Sequence, residues 1–325
     1  MRFEALSRLF FVLLGRRLVL TYNASKKVDG TGAQLQRIFA IYALAKRYRM
    51  GFKYSKLSSV AVHPLDEINS AQELEAYLVR LNSLFILPES EVESLESLDV
   101  YCDNLKFIDL VFAVAKSYFF NIYITIHIVN PYGVSDYHPD SYIEIMRNLL
   151  HWNKTFDLPK NQAKKKISMH YRSGVGGMAI QRGEKFSREM HIDYFLSIVD
   201  TIIYSLNNED DYEIIVFTDA PPSDIQYVPP VDQHELWSNS PGFSSGIMNV
   251  QGNDLSGILR KYGNKCTINV GRDPVNAIAL MSISDYLIMG RSSLSYVAAI
   301  LNSNGTIYYP PNFWHPPMSH WRNSK

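Results

Sequence analysis

Apolar residues fall in short runs, and the spacing within the runs alternates between two periods. Leu18–Tyr22 reads as a buried strand, and 23–32 as a polar, glycine-bearing loop. Within 34–48, Ile38, Ile41, Tyr42 and Leu44 recur at helical spacing, and 51–54 predicts a second strand. Residues 119–129 (FFNIYITIHIV) form the longest β-rich run of the chain. A helical pattern over 142–152 then leads into the polar, lysine-rich stretch 153–166.

The second half is more regular. Residues 167–171 predict a strand, and the glycine-rich stretch 174–183 a loop. Residues 190–206 predict a helix with Phe195, Ile198, Val199, Ile202, Ile203 and Leu206 inward. Residues 213–218 (EIIVFT) form a strand stopped by Asp219-Ala220-Pro221-Pro222. A helix over 254–262 stops at Gly263, and 266–270 is a strand. Asp273-Pro274 is a helix start, a capping side chain followed by proline, and that helix ends near Ile283. Residues 286–289 are a strand, Ser292 and Ser293 open a helix to Leu301, and 306–309 closes the series. Strand and helix alternate almost without a break, which predicts an α/β fold with parallel sheets and helices on both faces.

Length turns this pattern into two lobes. At roughly 100–200 residues per domain, 325 residues predict an N-terminal lobe over 1–160 and a C-terminal lobe with a tail over 161–325. The chain is 46% apolar, too apolar for disorder, and no solenoid repeat is visible. Lysine and arginine number 32, as do aspartate and glutamate, so the formal charge is zero. That balance gives no global attraction to nucleic acid or anionic membrane, and any anion site must be local. Cys102 and Cys266 are too few for a disulfide scaffold and sit in no metal-ligand spacing, which points to a reducing compartment. The apolar stretch 9–14 is interrupted by Gly15-Arg16-Arg17, far short of the roughly 20 residues a spanning helix needs. It reads as a first amphipathic helix and not as a signal peptide. Asn23, Asn153 and Asn304 each begin a glycosylation-type triplet, a short pattern that also recurs by chance.

In open α/β sheets ligands bind beyond the carboxyl ends of the strands. In the second half those ends carry His170-Tyr171-Arg172-Ser173, Thr218-Asp219, Gly271-Arg272-Asp273 and Gly290-Arg291-Ser292-Ser293-Leu294-Ser295. Ser292, Ser293 and Ser295 sit where a helix begins, so free N–H groups and hydroxyls fit an anion there, with Arg172 as a bidentate clamp. Each residue alone has a plainer reading: Ser292 as a helix cap, His170 as a core histidine, Asp219 as a turn former. Their convergence on one edge favours a phosphorylated ligand. Other motifs fail. Gly174-Val175-Gly176-Gly177 lacks the GxGxxG frame, Gly30-Thr31-Gly32 has no following Walker lysine, and no GxSxG elbow occurs. The acidic run 208–211 precedes a strand and reads as a solvated loop.

Several of these segments resemble one family in order along the chain. Asp29-Gly-Thr-Gly-Ala-Gln34 resembles the glycine-rich first loop of the α-1,2- and α-1,6-fucosyltransferases and protein O-fucosyltransferases. Ile167-Ser-Met-His-Tyr-Arg172 is similar to their H-x-R strand, and 213–219 to the next strand with its Thr-Asp end. Residues 280–295 (LMSISDYLIMGRSSLS), followed by Ala298, Ala299 and Leu301, resemble the family's L-M-S…N-S-S-F-S segment. The resemblance implies a GT-B-like fold of two Rossmann-like lobes facing a cleft, with the acceptor on the first and a nucleotide-sugar in the second. It implies an inverting transfer with no metal and no bound cofactor. By position, Arg172 would hold the diphosphate and His170 would lie near the nucleotide. Ser292, Ser293 and Ser295 would bind phosphate or sugar, and Gly30 and Gly32 would approach the donor, with Arg291 beside them.

Three departures stand out. The family's second arginine is Ser173, and the acidic residue that follows it there is absent. The family's nucleotide-reading aspartate falls at Ala277, for which Asp273 or Asn276 could substitute. Fucose from GDP-fucose is the expected donor and a glycan hydroxyl the acceptor, with UDP-xylose or another UDP-sugar as the alternative. Glu184, ahead of Glu189 and Asp193, is the first candidate for general base, and Asp219 could orient the donor's sugar. The aromatic tail Phe313-Trp314-His315 with Trp321 could stack on a sugar or simply pack. A non-enzymatic carbohydrate-binding protein and a pyruvyl-type transferase are the competing classes. The expected setting is a cytoplasmic enzyme of bacterial or viral kind, without a transmembrane segment or nucleic-acid partner, and with peripheral membrane association through residues 1–17 left open.

Overall fold

The structure is a computed structural model that describes residues 11, 14–26, 29–61, 68, 70–84, 87, 97–132, 164–172, 178–181, 184–187, 190–206, 211–218, 255–270 and 273–323. The chain divides into two compact units. One comprises Met1–Asp29, Ala33–Val60 and Glu75–Leu149, and the other Gly30–Gly32, Ala61–Leu74 and Leu150–Lys325.

The first unit is built on a four-stranded parallel sheet. Its strands are β1 (Leu18–Tyr22), β2 (Gly51–Lys53), β3 (Ser97–Asn104) and β4 (Tyr123–Asn130), in the order β2-β1-β4-β3. Helices α1 (Thr31–Arg47), α2 (Ala71–Leu84) and α3 (Phe107–Phe120) connect them. β1 is buried along its whole length, as expected of an inner strand covered on both faces.

The 119–129 run divides in a way the apolar pattern did not reveal. Phe119 and Phe120 close α3, Asn121 turns the chain in a left-handed conformation (φ 55°), and the strand begins only at Tyr123. An asparagine stop therefore separates two apolar segments that read as one. No element had been expected within residues 55–118, where α2, β3 and most of α3 lie. β3 is an edge strand with mostly exposed residues and no alternation to read. The expected 142–152 helix and most of residues 1–17 lie outside the described residues.

The second unit carries a six-stranded sheet, β12-β11-β10-β5-β8-β9. Its strands are β5 (Lys164–Tyr171), β8 (Asp211–Thr218), β9 (Cys266–Val270), β10 (Tyr286–Ile288), β11 (Thr306–Tyr309) and β12 (Arg322–Asn323), all parallel to their neighbours. Helices α4 (Ile192–Ser205), α5 (Ser256–Tyr262), α6 (Pro274–Ser282) and α7 (Ser293–Leu301) link them. Within the expected 174–183 loop, the described part forms strand β6 (Met178–Gln181), paired antiparallel with β7 (Glu184–Ser187). Asp211, read as part of a solvated loop, opens β8, and its carboxylate lies 3.0 Å from Lys164 Nζ.

The expected α/β class with parallel sheets is what the chain forms. One core layer packs α4 against the sheet through Phe195, Ile198, Val199 and Ile202, with Ile167, Met169, Ile214 and Val216 beneath. On the buried linkage between α6 and α7, Asn302 donates to Met281 O and Ser284 O and accepts from Gly305 N at 2.7 Å. Such full satisfaction is what allows an amide at 3% exposure. Among the described residues no helix is long and apolar enough to cross a membrane.

Candidate functional site

Sheet order locates the site before any side chain is considered. From β5 the chain moves to β8 and β9 on one side, then crosses back to β10 and β11 on the other. The connections out of β5 and β10 therefore diverge, leaving a crevice at their carboxyl ends. His170, Tyr171 and Arg172 leave β5 there, and Gly290–Ser295 leave β10 there.

Close backbone packing builds this junction. A Cβ on Gly290 would stand 2.5 Å from His170 O, so only glycine lets the two segments meet at this distance. Gly32 belongs to the same compact unit and does the same at the start of α7. A Cβ there would lie 2.5 Å from Leu294 N and 2.6 Å from Leu294 Cα. Both expected glycines of the first loop are described. Gly32 has no room for a side chain, whereas a Cβ on Gly30 would meet nothing within 4 Å. Gly32→Ala is expected to lower stability by roughly 2–4 kcal/mol, because backbone atoms, unlike a flexible side chain, cannot swing aside. Gly30→Ala should change it by less than about 1 kcal/mol. Chemical denaturation of both variants checks the contrast, and equal effects would contradict it.

The serines at the start of α7 do local work. Ser292 is the N-cap, its Oγ accepting from Leu294 N at 3.3 Å. Ser295 is fully buried and donates to Gly290 O and Ser292 O, both at 3.1 Å. Their hydroxyls thus shape the turn that presents the helix start, while Ser293 is the partly exposed member of the three. Arg291 directs its Nε to Pro311 O at 3.0 Å, toward the C-terminal tail. Asp273 caps α6 by accepting from Val275 N at 2.9 Å. It stands beyond β9, at the far edge of the sheet from β10. His170 is buried at the junction and Arg172 is partly exposed. Glu184 opens β7, which pairs with β6, and Asp219 lies outside the described residues.

The aromatic tail is packed. Phe313, His315 and Trp321 are buried around Tyr296, whose hydroxyl donates to Pro316 O at 2.8 Å. Tyr309 donates to Phe313 O and to His315 O, and burial raises its pKa. Of the tail rings proposed as a sugar platform, only Trp314 keeps partial exposure. The expectation for the other three falls because they are buried in ring contacts with Tyr296 and Tyr309.

In the first unit the loop after β1 rests on a buried polar cluster that periodicity did not reveal. Arg37 donates to Asp29 Oδ2 at 2.7 Å, and Gln34 donates to Asp29 O and Ser59 O at 2.8 and 2.9 Å. Tyr22 reaches Gln34 Oε1 at 3.4 Å, and burial, the largest influence on it, raises its pKa. Burial also opposes the charge on Arg37, but Asp29, Tyr22 and Tyr132 outweigh it and hold the guanidinium protonated. The available signal was three polar residues, Gln34, Gln36 and Arg37, at the start of an otherwise apolar helix.

Among the described residues no group of three or more His, Cys, Asp or Glu is arranged to hold a metal ion. A concavity of about 340 Å³ lies elsewhere, on the face of the second sheet between Lys164, Lys166, Glu213 and Leu280. It collects neither Arg172 nor the start of α7, so the switch-point crevice is the stronger candidate on chemical grounds.

The fold is that of an α/β protein whose second sheet has a topological switch point between β5 and β10. No protein-family model matches the chain, and no curated protein matches it either. Among solved structures, it is similar to POFUT1 in complex with GDP, with a TM-score of 0.43 and 9% identity over 89% of this chain and 95% of that one. It is also similar to the NodZ α-1,6-fucosyltransferase co-crystallised with GDP, with a TM-score of 0.33 and 11% identity over 88% of this chain and 92% of that one.

Proposed function

We propose that the chain is an inverting, metal-independent glycosyltransferase that moves fucose from GDP-fucose to a hydroxyl of a glycan. The observation that carries this reading is the adjacency of β5, which Arg172 follows, and β10, which leads into α7, at the switch point of the second sheet, with Gly32 packed on the start of α7. A helix start and a guanidinium-bearing residue at neighbouring strand ends suit a diphosphate, whose charge grows as it leaves. The acceptor hydroxyl attacks the anomeric carbon opposite the diphosphate. The bond from that carbon to the phosphate oxygen breaks, and its electron pair stays with the diphosphate. The hydroxyl proton passes to a carboxylate, for which Glu184 is the first candidate, while Asp219 orients the sugar. His170 and Ser293 complete the donor side, and Ser292 and Ser295 hold the helix start in place.

A second donor has its own support. The position where related transferases read guanine with an aspartate is Ala277, and it is buried. The nearby Asp273 already accepts a bond from Val275 N. A base without guanine's paired donors suits this site, so a UDP-sugar such as UDP-xylose is the alternative substrate.

Thermal melting with GDP, UDP and their sugars tests the class and separates the donors. A ligand at about one hundred times its Kd stabilises by about 2.7 kcal/mol, a rise of several degrees. A rise with GDP and GDP-fucose is the expected result, and a rise with UDP alone would replace the donor. An unchanged melt with every nucleotide would refute the transferase reading. If glycans alone then raised it, a carbohydrate-binding protein would be the better description.

A further inference from the structure

Helix α3 of the first unit carries its apolar residues on the wrong side for a core. Leu110, Ala113, Val114 and Ser117 are buried. Yet Ile108, Phe112 and Phe119 are 50%, 67% and 83% exposed, and they recur at i, i+4 and i+11 along one side of the helix. Phe120 is 59% exposed and packs edge-on against Phe119, with ring centroids 4.9 Å apart. The result is an exposed apolar stripe about 16 Å long, aromatic at Phe112 and at Phe119–Phe120. Scattered exposed apolar residues need no explanation, but large apolar side chains aligned along one helix side mark a contact surface.

Charge selects the partner. Arg17 donates to Ser117 O at 3.4 Å and lies 4.6 Å over the Tyr118 ring, at the Phe119 end of the stripe. Arg16, Lys106 and Lys116 are exposed. The single acidic side chain of α3 is Asp109, which accepts from Lys106 N at 2.8 Å. Among the described residues, strand alternation turns the carboxylates of β3 away. Cys102 of β3 faces α3, its thiol 3.9 Å from Asp109, so Asp99 and Asp103 point to the opposite face of the sheet. There they meet His127 at 3.1 Å and Lys26 at 2.6 Å. Two copies meeting through this stripe would bring these cations together, and among the described residues of α3 the one carboxylate, Asp109, already accepts from Lys106 N. An anionic surface would answer them all.

We propose that α3 and the Gly15–Arg17 turn form a docking surface for an anionic phospholipid membrane. Phe112, Phe119 and Phe120 would enter the headgroup boundary, and Arg16, Arg17, Lys106 and Lys116 would pair with lipid phosphates and carboxylates. Because the whole chain has no net charge, the attraction is local to this face. The surface is independent of the switch-point site, so it stands or falls apart from the transferase reading.

Co-sedimentation with vesicles tests it, using phosphatidylcholine alone or with about 30% phosphatidylserine. The protein is expected to pellet with the anionic vesicles and to be released by high salt. Phe112→Asp with Phe119→Asp should weaken binding on the order of tenfold or more, through loss of apolar insertion. Arg16→Glu with Lys116→Glu should weaken it at least roughly fivefold for each residue reversed. All four positions are exposed, so melting temperatures should stay within about 2 °C of the parent. A protein that stays in the supernatant with anionic vesicles would overturn the proposal. So would variants that bind as well as the parent. A concentration-dependent dimer that Phe119→Asp dissolves, without vesicle binding, would overturn it and identify a second copy as the occupant.

Discussion

Replacing Arg172 with alanine is expected to lower sugar transfer by about two to three orders of magnitude while leaving the melting temperature nearly unchanged. The magnitude is that of removing one preorganised donor from a developing anion. Stability should be spared because Arg172 is a partly exposed residue just past the end of β5, outside the apolar layer made by Ile167, Met169 and α4. Lysine at this position should recover little, since a point charge cannot grip two phosphate oxygens as a guanidinium does. Steady-state kinetics with the donor identified by melting supplies the measurement. Near-normal kcat/KM in Arg172→Ala would remove Arg172 from the diphosphate site. A large drop in melting temperature would assign it a structural role instead. Arg291 is the informative contrast, because its Nε is committed to Pro311 O and its loss should loosen the tail first.

The second sheet was legible because its signals are local. A capping aspartate with proline at N1 marked α6, and the Ser292–Ser293 pair marked α7 within a residue. Inner strands such as β5 and β8 read as apolar runs because both faces are covered. The elements missed in residues 55–118 carry little such signal. β3 lies at an edge, exposed on most of its length, and α3 turns aromatic residues outward, so periodicity gives the wrong face. The strand ends were legible as a set, but the work of each side chain was not. Nothing in Ser292 or Asp273 distinguishes a cap from a ligand until the partner N–H is located. The glycines were marked by motif alone, and only three-dimensional packing shows that Gly32 answers to the backbone of Leu294. The Asp29–Arg37 pair was invisible for a different reason. It joins a loop residue to a helix residue across the start of α1, where no single period runs through both.

That pair should be the main electrostatic anchor of the first unit, and Asp29→Asn is expected to cost about 2–4 kcal/mol. The Arg37 side chain is 10% exposed and that of Asp29 22%, so solvent screens the pair only in part. The asparagine retains the shape and the backbone carbonyl that Gln34 donates to, but it removes the countercharge. A guanidinium at this depth then lacks what outweighed its burial, and water reaches it poorly. For a unit of this size the loss corresponds to a fall in melting temperature of roughly 5–15 °C. Arg37→Met in the same chain should return most of it, because breaking one partner is costlier than removing both. A double-mutant cycle measured by chemical denaturation isolates the coupling. If Asp29→Asn moved the melting temperature by less than about 2 °C, the pair would be behaving as a surface ion pair and the loop would owe its position to Gln34 alone.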